Sequence, residues 1–162
     1  MGEPLPALAV GLLGLGSCTC GFIAGATRLK RDDIILQGGE CVYPTNPAFA
    51  LGYVVVSLLL LTIVLITARC FCKCCSCGCN MLSVVGILST VMAWYSALRA
   101  GLLFFLATEA NRPGGRGNAP KCYDYVRVGV LFDHAAYRAF QVTFFGLLSG
   151  GALHKGAQVP AS

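Results

Sequence analysis

Six of the ten cysteines of this 162-residue chain crowd one short stretch: Cys70, Cys72, Cys74, Cys75, Cys77 and Cys79. Thiols this dense can bind metal, form disulfides or carry acyl chains. Cys72 and Cys75 make one C-x-x-C, and Cys74 and Cys77 an overlapping one. A structural zinc site wants four ligands in a tetrahedron, usually from two separated pairs. Here the pairs overlap, no histidine is near, and the stretch sits between two apolar segments, so the residues name no metal site. Cysteines beside a membrane segment are common targets of S-acylation, and these six are acylation candidates. A redox-active thiol cluster is the remaining alternative.

A second set of reactive groups lies within or near apolar segments: Arg99, Asp133, His134 and Arg138. Ionisable residues in lipid are costly and mark functional positions by default. Measured from segment ends at 107 and 128, Arg99 lies about 12 Å and Asp133 about 8 Å inside the same face. An interhelical Arg99–Asp133 pair is therefore an expectation, with snorkelling of Arg99 to the interface as the competing reading. No HExxH, GxSxG or P-loop lysine motif occurs, and two histidines and seven carboxylates assemble no evident catalytic site. The sequence implies no enzyme activity and no cofactor.

These residues are placed by apolar segments. The chain is 56% hydrophobic and 12% charged. That is too few charges to cover a soluble surface, so lipid is the implied second solvent. Four segments follow, at 5–26, 48–68, 81–107 and 128–153, within a single membrane domain, with the cysteine-rich loop at 69–80. The second is a charge-free 21-mer and the strongest signal. The fourth is the weakest, interrupted by Asp133, His134 and Arg138. The predicted fold class is all-α, a four-helix transmembrane bundle. Ala24-Gly25-Ala26 resembles a signal-cleavage site, but no Lys or Arg precedes the run, so a retained first helix is expected. The net charge is +5, and most of the basic residues sit in short loops beside the apolar segments, which points to lipid headgroups and not to nucleic acid.

Cys41-Val42-Tyr43-Pro44, followed by Pro47-Ala48 and Leu51-Gly52, resembles a signature of a plant four-helix membrane family. Its members are named for modifying wall lignin and for DESIGUAL leaf-symmetry phenotypes. Lys121-Cys122-Tyr123, Val126 and Gly129-Val130 fit the same pattern, and the resemblance covers about residues 5 to 132. It implies a non-enzymatic protein of the endoplasmic reticulum or plasma membrane, linked to wall lignification or to leaf and vein patterning. Membrane lipids and other membrane proteins are the implied partners, a second copy of the chain among them. After Phe132 the chain departs from the family, which continues with an uninterrupted apolar helix. The rival functional class is a small transporter or channel subunit, for which Arg99 and the Asp133 cluster are the only polar candidates.

Cys41 and Cys122 are a disulfide candidate. Four crossings put loops one and three on one side and the termini and loop two on the other. Lys and Arg counts of three, two and four for loops one to three are nearly undecided once loop length is considered. Six crowded thiols suit the reducing cytosol, which leaves loops one and three outside it. Cys41 lies seven residues before Ala48 and Cys122 six before Val128, at similar heights above the membrane. Two unpaired thiols in cytosolic loops are the alternative.

Overall fold

In lipid, backbone N–H and C=O groups find no water, so apolar segments must satisfy them internally as helices. The computed structural model describes residues 4–37, 40–74, 81–113, 116–118, 128 and 130–156. Its helices are α1 (Pro4–Ala26), α2 (Pro47–Cys74), α3 (Met81–Ala110) and α4 (Leu131–Gly156). Among the described residues, these four long helices form an all-α bundle. Three of them carry stretches long and apolar enough to cross a membrane: Leu5–Ala26, Pro47–Cys72 and Val84–Ala110. Helix α4 is as long as these but carries Asp133, His134, Arg138 and Lys155.

The burial pattern is inverted relative to a water-soluble protein. On α3 the buried face is small or weakly polar, with Thr90, Ala93, Ser96, Ala97 and Ala100, while Ile87, Leu88, Val91, Leu98 and Leu102 point outward. Lipid removes the hydrophobic drive between helices, so small residues that permit close packing hold the interfaces. Helix α4 packs most extensively on α3 and also along α1, while α2 lies against α1 and α3. Gly14 meets Thr143, Gly21 meets Phe104 and Ala136, and Gly146 meets Ile66 and Val10, so α4 is docked over its whole length. Thr90 and Ser149 share a buried hydrogen bond of 2.7 Å between α3 and α4.

One end of the bundle carries a feature that period and composition did not predict. Three strands of three residues each, β1 (Ile35–Gln37), β2 (Glu40–Val42) and β3 (Arg116–Asn118), form an antiparallel sheet with β2 in the centre. The two positions between the paired Gln37 and Glu40 are both glycine, the residue tight hairpin links prefer. The sheet ties the α1–α2 connection to the segment after α3, because β2 pairs with β3 through Cys41 opposite Gly117. We call this the sheet end and the opposite one the cysteine end.

Candidate functional site

At the sheet end the polar side chains form one connected layer. Asn111 follows the last residue of α3 and is only 1% exposed. Its Oδ1 accepts hydrogen bonds from the Leu29 backbone N–H at 2.9 Å and from Asn46 Nδ2 at 3.1 Å. Its Nδ2 donates to the Ala107 carbonyl at 2.7 Å. Asn46 in turn accepts from the Phe49 N–H, which caps α2 and satisfies one of its orphan donors. Asn111 thus ties α1, α2 and α3 together. Beneath the sheet, Leu29, Cys41 and Tyr43 are buried against one another and against Ile34. Near the helix ends, Tyr53 donates to Glu109 at 2.8 Å.

Cys41 is fully buried and disulfide-bonded. Its expected partner, Cys122, lies outside the described residues. So do Cys75, Cys77 and Cys79, along with the side chain of Cys74, the last residue of α2. The helix continues six residues past Ala68, so Cys70 and Cys72 stand on a helix and not in a loop, with Cys70 half-buried and Cys72 exposed. Among the described residues no group of three or more His, Cys, Asp or Glu side chains could hold a metal ion.

The expected Arg99–Asp133 pair does not form. Asp133 is bonded to Arg28 at 3.1 Å. Arg99 donates to the Tyr95 hydroxyl at 2.8 Å, with its guanidinium 5.6 Å from the centre of that ring. The reason is register. Helix α3 runs on to Ala110, which puts Arg99 eleven residues, about 16 Å, from that end. Helix α4 starts only at Leu131, which leaves Asp133 in its first turn. The two groups therefore sit at different depths. Asp133 gains from the positive end of the α4 dipole, and Arg28 from the negative end of α1. Gly25 makes the approach possible, since a Cβ there would come within 2.7 Å of Asp133 Oδ1. Charge composition alone showed both residues but not this pairing, which is set by helix phase.

Two expectations follow. A double-mutant cycle of Arg28→Ala and Asp133→Ala is expected to show a coupling of about 0.5–1 kcal/mol in detergent, because both groups are partly exposed. The corresponding Arg99/Asp133 cycle is expected to be additive within about 0.3 kcal/mol. Coupling in the second cycle and none in the first would reverse the assignment. For the cysteine end, replacing all six cysteines with serine is expected to abolish thioester-dependent acyl capture. Unchanged acyl incorporation would refute acylation.

No family model, no curated protein and no solved structure matches this chain. The residues that carry the plant-family resemblance nonetheless have physical roles here. Cys41 and Tyr43 belong to the buried cluster under the sheet, Ala48 is fully buried, and Gly52 presses against Thr108 of α3.

Proposed function

We propose that this integral membrane protein crosses the bilayer four times and acts without catalysis as a scaffold or interaction partner for other membrane proteins. The supporting observation is how its interior polar groups are used. Ser17, Thr62 and Thr143 return their hydroxyls to carbonyls of their own helices, and Thr90 and Ser149 bond each other. Glycines let the helices close over them. A transport path needs polar groups facing an opening at mid-depth. Among the described residues, Arg99 at that depth is exposed on the outside of the bundle. The disulfide of Cys41 at one end and the cysteine-rich segment at the other favour an orientation with the sheet end outside the cytosol. By the resemblance of its Cys-Val-Tyr-Pro and Pro-Ala-x-x-Leu-Gly residues, the setting is the plant endoplasmic reticulum or plasma membrane, acting on wall lignification or leaf and vein patterning.

Two measurements separate this reading from a transporter. Proteoliposomes containing the full chain are expected to pass ions and small phenolic solutes no faster than empty vesicles. Cross-linking in native membranes is expected to place the chain in complexes of fixed size. Saturable flux together with a chain that runs only as a monomer would overturn the reading.

A further inference from the structure

We propose that the groove between α2 and α3 seats a palmitoyl chain carried as a thioester on Cys70. The proposal rests on the reading above in one respect, that the cysteine end faces the cytosol, the side on which acyl-coenzyme A is available.

The groove has a volume of about 210 Å³ and is lined by Val56, Leu60, Ile63, Trp94, Leu98 and Gly101 among others. These residues belong to the apolar spans Pro47–Cys72 and Val84–Ala110, so the groove lies at the depth of lipid tails. Toward the sheet end the two helices close on each other, because Gly52 meets Thr108 directly and Tyr53 donates to Glu109. Toward the cysteine end, Trp94 Nε1 donates to Thr67 Oγ1 at 3.0 Å and bridges the helices with an apolar ring. Gly101 keeps the space between open. Gly14, Gly52 and Gly146 each receive a side chain from a neighbouring helix, whereas a Cβ at Gly101 would meet nothing within 4 Å. Packed interiors hold few such voids, and an apolar one in a bilayer takes up hydrocarbon.

Cys70 stands at the mouth of this groove. It lies one turn beyond Ile66 and Thr67 on α2. Val56, Ile63 and Cys70 are spaced seven residues apart, two helical turns, so they share one face of the helix. Cys70 is half-buried there, while Cys72 is exposed on the opposite side of α2. Along the axis Ile63 is about 10 Å and Leu60 about 15 Å from Cys70. A membrane acyl chain spans one leaflet, about 15 Å of the hydrocarbon core. A palmitoyl chain on Cys70 that runs back along α2 therefore passes Trp94 and ends between Leu60 and Leu98. The same chain on Cys72 would lie in bulk lipid.

The acyl group arrives by thioester exchange. The Cys70 sulfur attacks the carbonyl carbon of palmitoyl-coenzyme A, and a new carbon–sulfur bond forms as the bond to coenzyme A breaks. The Cys70 proton is lost and coenzyme A leaves as its thiol, with no change of oxidation state. Filling the groove from its own mouth joins α2 to α3 where their side chains leave a gap, and so completes the face that the bundle presents to lipid and to other membrane proteins.

The test uses the full chain carrying Cys72→Ser, Cys74→Ser, Cys75→Ser, Cys77→Ser and Cys79→Ser, expressed in eukaryotic cells fed a palmitate analogue with a diazirine in its distal half and a terminal alkyne. After irradiation, mass spectrometry is expected to find the Cys70 peptide joined through the analogue to peptides containing Ile63 or Leu98. Hydroxylamine, which cleaves thioesters, is expected to release Cys70 from these adducts. A counterpart that keeps Cys72 and has Cys70→Ser is expected to give no groove adducts. Gly101→Leu places a side chain in the open space, so it is expected to fold, with an intact Cys41 disulfide reporting this, and to keep the thioester while losing the groove adducts. Groove adducts unchanged by Gly101→Leu overturn the proposal. Groove labelling that persists with Cys70→Ser would assign the groove to free lipid and equally overturn it. Labelling of Cys72 by an impermeant maleimide from the non-cytosolic face alone would remove the orientation and this proposal together. A chain without a Cys70 thioester that still forms complexes of fixed size would overturn the acyl seat and leave the interaction role standing. Cys70–groove adducts in a chain that passes solute would uphold the seat and overturn the scaffold reading.

Discussion

Gly52→Leu is expected to prevent α2 from seating on α3, with loss of most folded protein. A Cβ at Gly52 would overlap the Thr108 side chain, so the α2 backbone touches that side chain directly. Thr108 Oγ1 is buried and has no conventional hydrogen-bond partner. It occupies the direction in which the Gly52 Cα–H points, the geometry of the weak Cα–H···O contacts found where helices approach closely. Any side chain at residue 52 removes that contact and forces the helices apart. Adding methylenes to a packed interior costs about 1–3 kcal/mol, more where backbone must move. A total stability of about 5–15 kcal/mol leaves little room for a full leucine. Gly52→Ala is expected to be milder, lowering the melting temperature in detergent, and Thr108→Gly is expected to restore part of that loss by vacating the space. A leucine variant that melts like the parent, or an alanine variant that Thr108→Gly does not improve, would show that the contact is dispensable.

Cys41→Ser is expected to produce the second-largest loss, and Cys122→Ser the same loss. Cys41 is disulfide-bonded and pairs in the sheet opposite Gly117, five residues before Cys122. Five extended residues span at most about 17 Å. The other cysteines outside the described residues follow the far end of α2, a helix of 28 residues and about 42 Å. We therefore expect Cys122 to be the partner. The bridge closes a loop of about 80 residues, nominally up to about 4 kcal/mol of chain entropy, and less where helices persist in the denatured chain. Losing it also opens the cluster of Leu29, Cys41 and Tyr43. Non-reducing peptide mapping is expected to recover the Cys41 and Cys122 peptides joined. Recovery of Cys41 as an alkylated thiol without reductant would refute the pairing, and labelling by an impermeant maleimide from the cytosolic face alone would refute the orientation.

The apolar segments were legible because lipid imposes a length and a charge limit that one-dimensional composition expresses directly. The charge-free run at 48–68 required a helix, and α2 contains it. The helix ends were not legible. Nothing local to Arg69, Cys70 or Cys72 stops a helix, so α2 continues where hydropathy falls. Those few residues at each end decided the fate of Arg99: with α3 ending at Ala110 and α4 starting at Leu131, Asp133 was carried away from it and toward Arg28.

Asn111 shows a different limit. At the end of a long apolar run it reads as an ordinary helix stop, yet it is the hub of three helices. Its partners Leu29 and Asn46 are 82 and 65 positions away, and no pattern of spacing encodes them. The small sheet is likewise nonlocal, since Arg116 to Asn118 become a strand only beside Glu40 to Val42. What the sequence determined by itself was therefore the solvent, the number of helices and the residues available for chemistry, because hydropathy and charge are properties of single side chains. The tertiary structure alone decided which of those residues meet, because helix phase, register and the close approach at glycines are relations between segments.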